Sequence, residues 1–164
     1  MSKSRRSVIK EGLRLSYGES SRIPRISPDA PLQLNDWAIP AGTPVSMTST
    51  LMHYDETVFP DSYAFEPERW VNDPTGHLDR YMVAFTKGSR NCLGMPLAWA
   101  EMYLCLAGIF RWFGSGDVRG NDDEGVLELF ETDETDETDV KMIGDLFFPL
   151  VKADSKGIRV KISN

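Results

Sequence analysis

Ten consecutive residues decide the fold: Phe85-Thr86-Lys87-Gly88-Ser89-Arg90-Asn91-Cys92-Leu93-Gly94. A long apolar segment, predicted to be a helix, follows them directly, so Cys92 lies where free backbone N–H groups and the helix dipole stabilise a thiolate. Gly88 permits a backbone bend, and Gly94 lets a flat, bulky group approach the main chain beside the sulfur. Phe85 can cover that sulfur, and the planar guanidinium of Arg90 suits a carboxylate. These five residues together predict a haem site with a cysteine ligand.

The pattern Phe-x-x-Gly-x-Arg-x-Cys-x-Gly resembles the haem-binding loop of the cytochrome P-450 haem-thiolate monooxygenases, and all five fixed positions match. The resemblance implies that Cys92 is the axial ligand of the iron of haem b. It also implies that four further residues of the loop bind the cofactor: Phe85, Gly88, Arg90 and Gly94. For Cys92 considered alone, the alternative is a buried structural thiol.

A helix is predicted over Ser7–Tyr17 from its apolar spacing, with Glu11 and Arg14 on one face. Such a pair alone is common on exposed helices. The resemblance makes it the family's Glu-x-x-Arg motif, because Pro67-Glu68-Arg69-Trp70 matches the later family segment that contributes a second arginine. It therefore implies a structural cluster of Glu11, Arg14 and Arg69 that fixes the loop carrying Cys92.

Short apolar alternations broken by prolines predict strands of one small sheet between Glu19 and Thr50. The predicted strands cover residues 23–26, 32–34, 37–39 and 45–47. In the resemblance, the segment before them faces substrate, which makes Ser20 and Ser21 candidate substrate contacts. Arg25 falls where the family places a second ligand for a haem propionate, and an ordinary surface arginine is its alternative.

The middle of the chain is predicted as a short helix over Leu51–Phe59 and an irregular meander over Pro60–Arg80. A lone histidine is more often structural than metal-binding, so His53 is assigned no chemistry. The helix after the ten-residue loop is predicted to run to Gly114. It is apolar nearly all round, and Cys105 is expected in the core.

Ten of the 25 acidic residues fall between Asp122 and Asp139, and this segment accounts for the net charge of −7. The remaining residues carry 18 positive and 15 negative charges. An acidic mobile loop is expected over 121–139, which includes three Glu-Thr-Asp repeats. Strands are predicted over 140–142, 146–150 and 157–162. The turn near Phe147 is a further candidate substrate contact.

The resemblance implies an α+β, mainly helical fold that corresponds to the carboxy-terminal part of a cytochrome P-450. Its expected elements are the Glu-x-x-Arg helix, the small β-sheet, the meander, the cysteine-ligand loop, the long buried helix and a terminal β-hairpin. Residues 1–164 are expected to form a single partial domain. The chain is accordingly expected to be a fragment, a truncated gene product or an incomplete gene model, without the distal helix or a membrane anchor.

The function implied is that of a monooxygenase of fungal specialised metabolism, which inserts one oxygen atom from O2 into a lipophilic small molecule. An NADPH-dependent reductase is the implied electron donor. Basic residues are expected to steer it, namely Lys3, Arg5, Arg6, Lys10 and Lys87. The alternative is an inactive haem-binding remnant or a chain that acts only by pairing with another subunit, and a thiol redox protein is disfavoured because Cys92 and Cys105 do not form a Cys-x-x-Cys pair.

Composition excludes other classes of function. No dense basic stripe with aromatics indicates a nucleic-acid partner. No apolar run approaches the ~20 residues that a membrane span needs, and no disulfide framework is indicated by two cysteines on one segment. An intracellular location is expected, with full-length relatives anchored in the endoplasmic-reticulum membrane.

Overall fold

The computed structural model describes residues 3–112, 126–129, 139–157 and 160–163. The helices of this part are α1 (Lys3–Leu15), α2 (Ser49–His53), α3 (Glu68–Val71) and α4 (Met95–Trp112), with 3₁₀ turns at Leu78–Arg80 and Gly88–Arg90. The strands are β1 (Arg25–Ile26), β2 (Leu32–Leu34), β3 (Trp37–Ile39), β4 (Pro44–Val45), β5 (Val126–Leu129), β6 (Gly144–Leu146), β7 (Phe148–Leu150) and β8 (Val160–Ser163). Helices and small antiparallel strand pairs are thus mixed.

The strands of the region 19–50 form two separate pairs, and the prediction of one small sheet is wrong. The hairpin β2–β3 lies within the loop between β1 and β4, which pair with each other. The strands are only two or three residues long. Pro28, Pro40 and Pro44 interrupt the segment, and a proline has no N–H to donate to a neighbouring strand.

Helix α1 begins four residues before the predicted start and ends two residues before the predicted end. Tyr17 and Gly18 both have positive φ angles, 61° and 55°, which the right-handed helix cannot accommodate. The chain therefore turns sharply after α1. This turn leads directly into the segment that contains Ser20 and Ser21.

The buried apolar side chains among the described residues are Ile9, Phe59 and Trp70. The rings of Phe59 and Trp70 contact each other at 5.9 Å between centroids. Ile9 comes from α1 and Trp70 from α3, and these two helices pack together. The small core therefore lies between α1 and the meander, beside the polar groups described below.

Helix α4 follows the ten-residue loop, and many of its apolar side chains are exposed: Leu97 is 63% and Leu104 72% accessible. Cys105 is exposed too, so its predicted place in the core is wrong. No other described element covers that side of α4, which explains both observations. None of the described helices has the length and apolar content that crossing a membrane requires.

The expected loop 121–139 contains a strand, which corrects part of that prediction. Val126–Leu129 pairs with Val160–Ser163, because three of its four residues are apolar and suited to a strand. Asp139 is also buried, with its carboxylate 3.2 Å from the ammonium of Lys152. The other residues of the segment, 121–125 and 130–138, lie outside the described residues.

The predicted strand over 146–150 is a hairpin, in which β6 and β7 pair on either side of Phe147. Phe147 has a φ of 78°, a turn conformation that breaks an extended strand. Residues 140–142 form no strand, and the last predicted strand is observed as Val160–Ser163, with residues 158 and 159 outside the described part.

Candidate functional site

The loop Phe85–Gly94, here called the cysteine loop, presents Cys92 three residues before the first residue of α4. The backbone N–H of Cys92 donates to the carbonyl of Phe85 at 2.9 Å, which closes the loop on itself. The carbonyl of Cys92 accepts from the N–H of Met95 at 3.4 Å, which joins the loop to the helix. The Cys92 side chain is exposed. A thiol held at this point is available to a ligand or metal.

Two glycines shape the cysteine loop in different ways. Gly88 has a φ of +77°, a conformation that L residues with a side chain rarely adopt. At Gly94, a Cβ atom would lie 3.8 Å from the sulfur of Cys92. A larger side chain at Gly94 would therefore stand beside the sulfur, where a bulky ligand has to approach.

Arg25 and Arg90 line the same cavity of about 470 Å³, with Ser89, Asn91 and Leu93. Arg25 comes from β1 and Arg90 from the cysteine loop. Among the described residues, neither guanidinium forms a salt bridge with a carboxylate. Two such groups around one cavity suit a ligand with two carboxylates. The exposed sulfur, the adjacent glycine and these two cations therefore fit haem.

The structure brings together Glu11, Arg14 and Arg69, and Trp70 joins them; these four residues are called the Glu11 cluster. One carboxylate oxygen of Glu11 accepts from Arg14 Nη2 at 2.8 Å, from Arg69 Nε at 3.0 Å and from the N–H of Glu66 at 3.1 Å. The other accepts from Arg14 Nε at 3.0 Å and Trp70 Nε1 at 2.8 Å. Burial raises the pKa of Glu11, but these hydrogen bonds outweigh it and hold the pKa below its usual range.

Arg14 connects α1 to the start of the meander. Its Nη1 donates to the carbonyl oxygens of His53 and Ser62 at 2.8 and 2.6 Å, and its Nη2 donates to that of Ala64 at 3.1 Å. The guanidinium also lies over the ring of Phe59, 5.2 Å from its centroid. One buried side chain thus satisfies three backbone carbonyls that would otherwise lack partners.

His53 has a structural role that the sequence interpretation missed. The side chain is buried, and its Nε2 accepts the backbone N–H of Val83 at 3.0 Å, two residues before the cysteine loop. Burial, with the neighbouring charge of Arg14, lowers the pKa of His53 to about 4. Neutral His53 therefore ties α2 to the chain that leads into the loop. The sequence around His53 could not predict this contact, because its partner is a backbone N–H and not a particular side chain.

We expect the free energy of unfolding to fall by about 3 kcal/mol as the pH drops through the interval between the two pKa values of His53. The unfolded chain takes up a proton below pH 6.5, whereas the folded chain does so only near pH 4. Acid thus favours the unfolded state across this window. Urea titrations of His53→Gln, which keeps an acceptor but does not titrate, should show a weaker pH dependence.

The matched control is His77→Gln, since His77 is the other histidine of the chain and is exposed. It should keep the pH dependence of the unmodified chain. The contribution of Glu11 does not interfere above pH 4.5, because its lowered pKa places the loss of that contribution below this pH, so the two histidine variants are compared between pH 6.5 and 4.5. Equal pH profiles for the two histidine variants would contradict the role of His53.

The structure also brings together the candidate substrate contacts Ser20, Ser21 and Phe147. Both serine hydroxyls donate to the carboxylate of Asp145 at 2.8 and 2.9 Å, and the N–H of Ser20 donates to the carbonyl of Phe147 at 3.2 Å. Asp145 is a second residue that the sequence interpretation missed. It lies about 125 positions from the serines, beyond any local pattern.

The basic residues expected to steer an electron donor differ in their surroundings. Lys10 pairs with the carboxylate of Asp79 and lies over the ring of Trp70, whereas Lys87 is exposed and donates to the backbone carbonyl of Asp79 at 2.8 Å. Arg5 and Arg6 are exposed on α1, and the side chain of Lys3 lies outside the described residues. Exposed positive charge is therefore present within the cysteine loop, at Lys87.

Comparison with known proteins gives concordant results. Residues 5–129 match the family described as Cytochrome P450. The chain is 52% identical over 162 residues to Cytochrome P450 monooxygenase tpcC of Cochliobolus heterostrophus, covering 95% of this chain and 30% of that protein. It is 46% identical over 166 residues to Cytochrome P450 monooxygenase astB of Talaromyces wortmannii, covering 95% and 32%.

A similar fold is found in the structure of retinoic acid-bound cyanobacterial CYP120A1. The TM-score is 0.68 at 23% sequence identity, and the match covers 98% of this chain and 33% of that one. The chain therefore spans about a third of the length of the curated relatives and of this structure.

Proposed function

Because this chain belongs to the cytochrome P450 family, we propose that it forms the thiolate side of a haem monooxygenase site, with Cys92 as the axial ligand. The observation that carries the proposal is the exposed sulfur at the end of a closed loop, next to a cavity lined by Arg25 and Arg90. The test is the absorption of the reduced, carbon-monoxide-bound chain with and without Cys92.

Each residue of the site has a role in binding haem b. Cys92 supplies the sulfur, and Gly94 leaves room for the ring beside it. Arg25 and Arg90, which line one cavity, would hold the two propionates through charge-assisted hydrogen bonds. When bound, haem supplies the activation of dioxygen and the insertion of one oxygen atom into a C–H bond of a lipophilic small molecule.

The surrounding residues position the cysteine loop. The Glu11 cluster fixes α1 against α3 and the meander, and His53 holds the backbone at Val83. Met95 and Cys92 then join the loop to α4. These contacts would hold the sulfur in one place, as a residue that binds a metal ion requires.

An NADPH-dependent reductase is the proposed electron donor, and Lys87 is proposed to attract its acidic surface. We expect Lys87→Glu to slow the reduction of bound haem at low salt and to have little effect at high salt. Steering acts over a Debye length of about 10 Å at 0.1 M salt, so added salt removes it. Stopped-flow reduction at several ionic strengths measures this.

Lys141→Glu is the matched control, because Lys141 is also exposed but belongs to the terminal segment. It should leave the reduction rate nearly unchanged at every salt concentration. If Lys87→Glu slows reduction equally at low and high salt, the lysine acts through the loop structure and the steering proposal is wrong.

A haem-binding chain without catalysis of its own is the second candidate. The exposed apolar side chains of α4, among them Leu97, Leu104 and Phe110, favour it. A large exposed apolar surface promotes association with another protein segment. An activity assay decides between the two candidates, in which residues 1–164 are mixed with haem, a reductase and lipophilic substrates. Haem binding without oxygenated product supports the second candidate. Oxygenated product formed together with consumption of the reductant excludes it.

A further inference from the structure

Thr86, the second residue of the cysteine loop, has a left-handed backbone. Its φ is 59°, a conformation that is unfavourable for a β-branched residue. Gly88 of the same loop has a φ of +77°, but glycine adopts such an angle without a steric penalty. A threonine in this conformation persists only where neighbouring groups hold it. The contacts of Thr86 therefore identify what keeps the loop in its shape.

Thr86 is held from two directions. Its backbone N–H donates to the carbonyl of Val83 at 2.9 Å, where the chain enters the loop. Its hydroxyl donates to the carbonyl of Arg90 at 3.1 Å, two residues before Cys92. Val83 is itself anchored, because its N–H donates to Nε2 of buried His53 at 3.0 Å. Thr86 therefore connects the anchored entrance of the loop to the residues just before the sulfur.

The left-handed backbone of Thr86 also affects the hydrogen bond that closes the loop. In that bond, the carbonyl of Phe85 accepts the N–H of Cys92 at 2.9 Å. Rotation about the φ of Thr86 moves all following residues relative to the Phe85 carbonyl, because the peptide bond between Phe85 and Thr86 is planar and rigid. A return to a negative φ would therefore separate Cys92 from Phe85 unless other residues changed as well. The φ of Thr86 and the position of Cys92 are thus coupled.

We propose that Thr86 is a positioning residue for the haem ligand: its left-handed backbone and its hydroxyl bond to Arg90 together hold the sulfur of Cys92 where iron binds. This rests on the proposed function, because it takes Cys92 as the axial ligand. A loop that is already fixed in the binding conformation loses less conformational freedom when the ligand bond forms. The contacts of Thr86 are present without haem, so they can be tested without it.

The first experiment measures amide hydrogen exchange by NMR in residues 1–164 without haem. Thr86→Val keeps the β-branched shape but lacks the hydroxyl, so the strain remains without the bond to Arg90. The protection factor of the Cys92 N–H should then fall about tenfold, as the loss of one hydrogen bond predicts. Thr86→Ser keeps the hydroxyl and should stay within about twofold of the unmodified chain, because the bond is retained.

Thr86→Gly separates the contribution of the hydroxyl from that of the backbone. Glycine adopts the left-handed conformation without strain but provides no hydroxyl. Protection of the Cys92 N–H should therefore lie between the values for Thr86→Ser and Thr86→Val. A value as low as that of Thr86→Val would overturn the role given to the backbone. If Thr86→Val does not fold, equal protection in the glycine and serine variants would overturn the role given to the hydroxyl.

Thr57→Val is the matched control, because Thr57 is an exposed threonine whose N–H and hydroxyl also form local bonds, both to the carboxylate of Asp55. It should leave protection of the Cys92 N–H unchanged. The N–H of Asn72, which donates to the carbonyl of Glu68, serves as the reference amide in every variant. Two results overturn the proposal: unchanged protection of Cys92 in Thr86→Val, or an equal fall at Cys92 and Asn72, which indicates general destabilisation.

The second experiment uses residues 1–164 with haem and measures what fraction of the reduced, carbon-monoxide-bound form shows the thiolate absorption. This fraction should fall about twofold or more in Thr86→Val, because contacts around a metal ligand orient it. It should stay unchanged in Thr86→Ser and Thr57→Val. An unchanged fraction in Thr86→Val would overturn the proposal. The proposed function fails in a different way: the unmodified chain then lacks the thiolate absorption, while the protection of the Cys92 N–H still follows the order of the Thr86 variants.

Discussion

Replacing Cys92 with alanine should abolish the thiolate absorption of the reduced, carbon-monoxide-bound haem complex. The thiolate is the axial ligand in the proposed site, and alanine offers no atom that can bind iron. The closed loop, with the N–H of Cys92 bound to the carbonyl of Phe85, does not require the sulfur and should persist. The thiolate absorption should therefore disappear completely, whereas the fold should change little. Circular dichroism of the variant checks the fold.

Cys105→Ala is the matched control, because both cysteines of the chain are exposed thiols. An accessible sulfur alone would allow either residue to bind iron. Only Cys92 lies beside Gly94 and next to the residues that line the cavity of Arg25 and Arg90. A spectrum that survives Cys92→Ala but is lost in Cys105→Ala would falsify the assignment of the ligand.

Replacing Glu11 with alanine should lower the free energy of unfolding by about 3–5 kcal/mol, because it leaves the charge of Arg14 buried without its carboxylate. The indole N–H of Trp70 and the backbone N–H of Glu66 lose their acceptor as well. Domains of this kind have only about 5–15 kcal/mol of total stability. Urea unfolding at neutral pH measures the loss.

Glu101→Ala provides the control, since Glu101 is an exposed glutamate within α4. It should shift the unfolding midpoint only slightly. Replacing Glu11 and Arg14 together by methionine removes the unpaired charge but leaves the carbonyls of His53, Ser62 and Ala64 without a donor. The double variant should therefore remain destabilised. A double variant as stable as the unmodified chain would contradict the role given to Arg14.

The family and the mixed helical fold could be predicted because their signals are local in the sequence. The spacing from Phe85 to Gly94 and the pattern of α4 require no knowledge of distant contacts. The positions of Glu11 and Arg14 on α1 follow from helical periodicity. The exposure of Cys105 could not be predicted, because burial depends on which elements cover α4.

The contacts that hold the site together depend on partners distant in the sequence. His53 binds a backbone N–H, which every residue except proline offers, so no residue type marks its partner. Asp145 reaches serines about 125 positions away. The strand Val126–Leu129 was not predicted, because the acidic composition averaged over 121–139 obscured its three apolar residues, which are suited to a strand.

The wide sequence separation within the Glu11 cluster constrains the order of events during synthesis on the ribosome. Glu11 and Arg14 emerge before the donors Glu66, Arg69 and Trp70, which lie 55 to 59 residues after Glu11. Until those residues have been made, the Glu11–Arg14 pair lacks its partners in the meander, and burying the pair without those hydrogen bonds is costly. We therefore expect α1 to dock only after residue 70 has left the exit tunnel, and Cys92 follows shortly after the support for its loop has become available.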